Sequence, residues 1–183
     1  ADERLRSSGE LERVLERHAR HFATVLQPMS RALLGRGQRA AIRQIAAERE
    51  NVWAALSVAL VRSDANLALE LTAPLGWYFY MVAQSESGAA ALESALSCPG
   101  PTDPRLRAEA LAHFGWLSAN GPHVELALHA SQEAIDLLAA VDDPWTETFV
   151  HATRMMALFF SGRVEEGVAL LEPAEAAAAR AAD

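Results

Sequence analysis

A pattern of small and apolar residues occurs three times along this chain, at intervals of about forty residues. The first two copies place a small residue in each of two successive helical segments, and the third has one in its second segment only. We expect these small residues to let two helix backbones approach closely. The copies hold Gly76, Gly88 and Leu92, then Gly115 and Ala127, then Gly167 and Leu171. One helical hairpin cannot bury its apolar face alone, so a helical repeat of this length predicts hairpins that stack on one another.

The composition agrees with an entirely helical chain. Among 183 residues, 51% are hydrophobic, and these are mainly Ala and Leu, which favour helices over strands. We therefore predict an all-α fold, an α-α superhelix of stacked hairpins with about eight helices.

Capping signals place the boundaries of these hairpins. Asp64, Asp103-Pro104 and Asp143-Pro144 each supply a side chain that can accept hydrogen bonds from the first turn of a helix. We predict three hairpins within residues 63–183, at about 64–100, 103–140 and 143–182. Residues 1–62 form a two-helix segment that packs on this array.

Two predicted helices make up that segment. The apolar stripe of the first helix consists of Leu11, Val14, Leu15, His18, Phe22 and Val25, and Pro28 is expected to kink or end it. The second helix is predicted from about Gln38 to Arg62.

The charge distribution argues against a general nucleic-acid surface. The net charge is −8, although residues 1–50 hold ten basic residues against seven acidic ones. This basic end either faces an acidic partner or forms a solvated helix face with internal salt bridges. We predict no direct nucleic-acid binding.

The location of the protein follows from similar signals. No basic-then-apolar leader is present, and the longest nearly apolar stretch, residues 71–83, is too short to span a bilayer. The single Cys98 fits a reducing cytoplasm. The chain begins with Ala rather than Met and its last stretch still has helical character, which we expect of a piece of a longer protein.

Catalytic and cofactor motifs are missing from the sequence. It has no lysine and no G-x-x-x-x-G-K-[ST] phosphate loop. His18 and His21 are spaced to present two nitrogens to zinc, but no third ligand is indicated. We predict no enzyme activity, no cofactor and no metal. A helical hydrolase or metal-dependent enzyme would require His or Glu side chains to converge in a polar pocket.

The repeats resemble the tetratricopeptide repeat, in which a large apolar residue and Gly lie in the first helix and Ala begins the second. They depart from that pattern in a longer period, a missing or displaced closing Pro, and Met155 where Gly is expected. The resemblance implies a module that binds a protein partner.

The same resemblance implies which side chains face the concave groove of the array. These candidate site residues are Trp77, Tyr80, Trp116, Asn120, Met156 and Phe159, with Glu70 and Glu109 at the rim. Aromatic side chains in a groove suit an apolar helix, an extended peptide or a flat small molecule. The alternative is that a short, tightly wound array fills its own groove, which makes these aromatic residues ordinary core.

A second resemblance involves the residues before the repeats. Residues 17–22 (Arg-His-Ala-Arg-His-Phe) and 47–56 (Ala-Glu-Arg-Glu-Asn-Val-Trp-Ala-Ala-Leu) are similar to the helical segment of bacterial STAND regulators, which include the antibiotic-regulatory and LuxR-type transcription factors of actinobacteria. In that family the repeats form a sensor or autoinhibitory arm, and nucleotide and DNA binding lie elsewhere.

This resemblance implies a cytoplasmic sensor module that contacts a protein partner or a sibling domain. The module would respond to an effector, such as a small molecule. The competing interpretation is a stand-alone helical scaffold or oligomerisation domain without a signalling role.

Overall fold

A computed structural model of the chain describes residues 9–119 and 123–182. These residues form helices joined by turns and loops, with no strand among them. The helices are α1 (Glu10–Leu33), α2 (Gln38–Ala47), α3 (Arg49–Val61), α4 (Ala65–Thr72), α5 (Gly76–Met81), α6 (Ser85–Leu96), α7 (Pro104–Ser118), α8 (Val124–Leu138), α9 (Pro144–Phe160), α10 (Val164–Val168) and α11 (Leu171–Ala182). The predicted all-α class is confirmed.

Three of the eight predicted helices are interrupted. The helix predicted over 38–62 divides at Glu48 into α2 and α3. A 3₁₀ turn at Ala73–Leu75 separates α4 from α5, since Pro74 has no N–H to continue the α-helical hydrogen bonds. Between α10 and α11, the Leu170 N–H bonds to the Gly167 carbonyl three residues back, which tightens that turn.

The three predicted aspartate caps are in place at the starts of the hairpins. Asp64 accepts a hydrogen bond from the Leu67 N–H at 3.1 Å, and Asp103 accepts from the N–H groups of Arg105 and Leu106. Asp143 accepts from the Thr146 N–H at 3.2 Å and from its hydroxyl at 2.9 Å. These bonds satisfy amides that a helix start leaves free.

Helix α1 differs from its prediction in two ways. Pro28 was expected to kink or end the helix, and it does not end it, since the helix continues to Leu33. Its buried residues are Ala19, Phe22, Ala23, Leu26 and Leu33, so only Phe22 of the predicted stripe is buried. Val14 and Leu15, in the early turns of α1, are exposed.

Successive hairpins stack side by side. The first helices α4 and α5 pack on α6, α7 packs on α8, and α9 packs on α10 and α11. Each hairpin also contacts the next one, through α6 with α7 and α8 with α9, while α1 packs on α3 and α4. One apolar core therefore runs from Ala19 to Val150, with a small second cluster around Leu128 and Leu158.

The repeated small residues sit where helices approach closely. A Cβ added to Gly88 would lie 2.6 Å from Phe79, and one added to Gly167 would overlap the ring of Phe159. We expected glycine to let two backbones meet, but in these two hairpins it makes room for an aromatic ring from the partner helix. In the second hairpin Gly115 instead lies next to Ala127. A Cβ added to Gly115 would be 3.4 Å from the Ala127 carbonyl oxygen.

Candidate functional site

The first helices of all three hairpins contribute rings to one aromatic cluster, which consists of Trp77, Tyr80, His113, Trp116 and Phe149. Trp77 lies at the centre, with its ring centroid 4.9 Å from Phe149, 5.7 Å from His113 and 5.7 Å from Trp116. Tyr80 packs edge-on against Trp77 and Trp116. Tilted and edge-to-face contacts of this kind stabilise aromatic groups beyond their burial alone.

Phe149 was missing from the predicted groove. In the forty-residue register it occupies the position that Glu70 and Glu109 hold in the first two copies. Its ring lies between the tryptophans of the two earlier hairpins. The register contained the signal, since a rim position that is acidic in two copies is aromatic in the third.

The exposure of the cluster is graded. Tyr80 is 46% exposed, Trp77, Trp116 and Phe149 are half-buried, and His113 is almost fully buried. The cluster therefore presents an aromatic edge to solvent through Tyr80 and packs the rest against the array.

Two polar atoms inside the cluster make no hydrogen bond among the described residues, Nδ1 of His113 and Nε1 of Trp116. Burial lowers the pKa of His113 to about 4, so its imidazole is neutral at pH 7. The histidine acts here as a packed ring without charge.

Next to this cluster lies an acidic cleft of about 510 Å³ between α1, α4 and α7. We define the acidic cleft by Asn66, Glu70, Asp103, Arg105 and Glu109, all of which line it. Asn66 donates a hydrogen bond to Glu70 at 2.8 Å and accepts one from the Asp103 backbone N–H at 2.9 Å. The amide thereby joins the first two hairpins at the floor of the cleft.

Burial raises the pKa of both glutamates in the cleft. For Glu70, burial and the nearby charge of Asp64 together outweigh the opposing effects of Arg20 and of the hydrogen bond from Asn66 on the pKa. For Glu109 burial acts together with the nearby charge of Asp143. A carboxylate with a raised pKa carries its negative charge at a cost that a cationic group would reduce.

Arg105 is the one basic side chain lining the cleft within the part of the chain that the structure describes, and it is already engaged. Its guanidinium donates to the Asp142 carbonyl oxygen at 2.9 Å and lies 3.6 Å from the Asp143 carboxylate. Glu109 forms no ion pair with any residue in 9–119 or 123–182. The cleft therefore has an excess of negative charge.

Cleft and cluster share helix α7. Glu109, His113 and Trp116 follow one another on α7 at the spacing of successive turns, and Glu70 precedes Trp77 by seven residues across the 3₁₀ turn between α4 and α5. The cleft and the cluster therefore lie one after the other along the first helices of the first two hairpins.

The remaining predicted groove residues lie elsewhere. Met156 packs against the second apolar cluster, and Phe159 packs on Gly167, because the glycine leaves space on the partner helix that the ring fills. The structure thus brings Trp77, Tyr80 and Trp116 together and places Met156 and Phe159 outside this group. Asn120 lies outside the described residues.

The two histidines whose spacing would suit zinc have an aromatic neighbour. His18 and His21 flank Phe22, with ring centroids 4.8 and 5.2 Å away. In the described ranges, no three His, Cys, Asp or Glu side chains group in a way that could hold a metal ion.

Comparisons of the chain with protein-family models, curated proteins and solved structures find no match. Of the helices in residues 9–119 and 123–182, none has both the length and the apolar character needed to cross a membrane.

Proposed function

We propose that this chain is a non-catalytic binding module built from tetratricopeptide-like hairpins, which recognises a basic protein segment from a partner or a sibling domain. The segment would place a cationic side chain in the acidic cleft and an apolar side chain against the aromatic cluster. The single observation that carries the proposal is the state of Glu109, a largely buried carboxylate without an ionic partner among the residues that the structure describes.

The energetics favour a ligand with a positive charge. An arginine or lysine beside Glu109 would compensate a carboxylate that the fold has already removed from most of its water. The neighbouring faces of Trp77 and Trp116 can add cation–π attraction. An acidic segment would instead meet like charge from Glu70, Asp103 and Glu109.

Binding of paired synthetic peptides tests the proposal. One amphipathic helical peptide carries Arg and Lys on its polar face, and a second carries Glu and Asp on the same apolar scaffold. We expect tryptophan fluorescence to report binding of the basic peptide alone. Glu109→Gln should weaken that binding about tenfold, equivalent to about 1.4 kcal/mol.

Glu86→Gln is the matched control, because Glu86 is an exposed glutamate on α6, the second helix of the first hairpin, away from the cleft. It should leave the affinity unchanged. Equal binding of the two peptides, or an equal loss in the two variants, would contradict the proposal.

We further propose that this module is the sensor or autoinhibitory arm of a cytoplasmic bacterial transcriptional regulator of the STAND type. The array would hold a sibling domain in one state, and an effector that prefers another state would shift the equilibrium by its difference in affinity. The resemblance of residues 17–22 and 47–56 supports this proposal. A phosphate loop or winged helix encoded upstream in the same gene is the expected finding, and an intact reading frame without either would contradict it.

The second candidate function is a stand-alone helical scaffold or oligomerisation domain. Exposed apolar residues at both ends of the array favour it, among them Val61 and Val168.

A further inference from the structure

The last hairpin leaves an apolar stripe uncovered. Val164 and Val168 on α10 and Leu171 at the start of α11 are 53%, 51% and 44% exposed. Val164 and Val168 are one turn apart and share a helix face. We call these three residues the tail face.

In the earlier hairpins the equivalent positions are buried or half-buried, with Ser85, Ala89 and Val124 half-buried and the other three buried. Val168 corresponds in register to Leu128, and Leu171 corresponds to Leu92 and Ser131, all three of which are buried. Leu128 packs with Ala157 and Leu158 of α9. The Arg154 guanidinium of the same helix donates to the Leu128 carbonyl oxygen at 2.9 Å. The tail face therefore has the register of an interface between hairpins, and no helix in residues 9–119 or 123–182 covers it.

The opposite end of the array is also apolar and uncovered. Leu15 of α1 lines a shallow cleft with Val58 and Val61 of α3, and Val61 is 86% exposed. We call these three residues the head face. Helix α1 is a first helix with an uncovered apolar side. Inside the array, α9 is also a first helix, and it packs its apolar side on α8.

The two ends carry opposite charge. Residues 9–62 contain nine arginines and five glutamates, whereas residues 163–182 contain two arginines and four glutamates. Arg13 and Arg17 lie two residues before and after Leu15 on α1, and Glu165 and Glu172 lie next to Val164 and Leu171 in the sequence. None of these four forms an ion pair within the described ranges. The head cleft itself is lined by Glu12 and by Arg62, which pairs with Glu16 at 3.2 Å. Opposite charges at the two ends favour a head-to-tail approach of two molecules over an approach of like ends.

We propose that the tail face of one molecule binds the head face of a second copy of this chain. Helix α1 of the second copy takes the position on α10 and α11 that α9 takes on α8 within one chain. Each molecule then has one head and one tail, so the contact is heterologous and produces rings or open chains of molecules. This self-association uses neither the acidic cleft nor the aromatic cluster.

Sedimentation velocity of the full chain tests the proposal. The concentrations run from about 1 to 300 μM, a range suited to a micromolar contact. We expect the average mass to rise with concentration and to fall when salt is raised, since the attraction between exposed charges is screened. Val61→Glu on the head face and Val168→Glu on the tail face should each abolish the rise. Both valines are exposed, so the variants should keep the helical circular dichroism and melting behaviour of the parent.

Mixing the two variants distinguishes a heterologous contact from other arrangements. Val61→Glu keeps an intact tail and Val168→Glu keeps an intact head, so the mixture should form a one-to-one complex and nothing larger. Leu126→Glu, at an exposed leucine on α8 away from both ends, is the control and should associate as the parent does. A parent chain that stays monomeric at every concentration would overturn the proposal, as would a single variant that still associates or a mixture that does not combine.

Discussion

The imidazole of His113 fills the space beside Gly76 that a side chain there would need. A Cβ added to Gly76 would overlap Cγ and Nδ1 of the histidine. Gly76 begins α5 in the first hairpin, and His113 lies in the middle of α7 in the second. This contact sets how closely the first helices of two neighbouring hairpins approach, and the aromatic cluster forms on the same side.

Gly76→Ala should therefore destabilise the fold. The histidine is packed on all sides, so it cannot move away cheaply, and overpacking of this kind costs about 1–3 kcal/mol. Urea unfolding followed by circular dichroism measures the loss. Gly35→Ala is the control, because an added Cβ at Gly35 meets nothing within 4 Å, and that variant should stay within about 0.5 kcal/mol of the parent.

Ala127→Leu should be destabilising for a related reason. Ala127 is fully buried on α8, and its backbone atoms would lie 3.4 and 3.7 Å from a Cβ added to Gly115, so three additional carbons should crowd this contact. We expect a loss of about 1–3 kcal/mol or more in the free energy of unfolding. Ala90→Leu, at an exposed position of α6, should have little effect. Equal melting temperatures for the two variants would show that Ala127 is not at a close helix contact.

The stability of the fold should depend on pH through His113. Burial lowers the folded-state pKa from 6.5 to about 4, so between these values the unfolded chain binds a proton at this residue and the folded chain does not. The free energy of unfolding should fall as the pH falls through this window, by about 3 kcal/mol in total, at about 1.4 kcal/mol per unit of pKa difference.

Unfolding of the parent and of His113→Phe at a series of pH values isolates this contribution. The comparison is needed because the lowered pKa of His151 acts in the same direction and the raised pKa of Glu109 acts in the opposite one. The parent should lose more stability than the variant between pH 6.5 and 4. Parallel pH profiles would mean that His113 is protonated as readily in the folded chain as in the unfolded one.

Two members of the aromatic cluster should respond differently to truncation. Trp77 contacts four other rings, so Trp77→Ala should cost about 3 kcal/mol of unfolding free energy. Tyr80 is 46% exposed, so Tyr80→Ala should cost about 1 kcal/mol or less of unfolding free energy. The same variant should weaken binding of the basic peptide. Calorimetry of unfolding and peptide titration of both variants separate packing from binding. An unaltered peptide affinity in Tyr80→Ala would place the peptide away from the cluster.

The sequence by itself determined the helices and the starts of the hairpins. Asp64, Asp103 and Asp143 cap amides that lie two or three residues further along the chain, so the signal and its structural effect are local. The repeated small residues indicated close helix contacts correctly, because a fixed period in a helical array places equivalent residues in equivalent positions. Glu70 and Glu109, which the tetratricopeptide resemblance placed at the rim of the groove, line one cleft between α1, α4 and α7.

Only the tertiary structure decided which of the candidate residues meet. Phe149 reaches Trp77 two hairpins away, and this contact depends on how far successive hairpins rotate, which no single helix encodes. Phe159 turns towards Gly167 because an empty space on the partner helix accepts its ring. The exposure of Val14, Leu15 and Val168 likewise depends on where the neighbouring helices end. Hydrophobic periodicity identifies the apolar face of a helix, but burial requires a second surface, and that surface is supplied by residues distant in the chain.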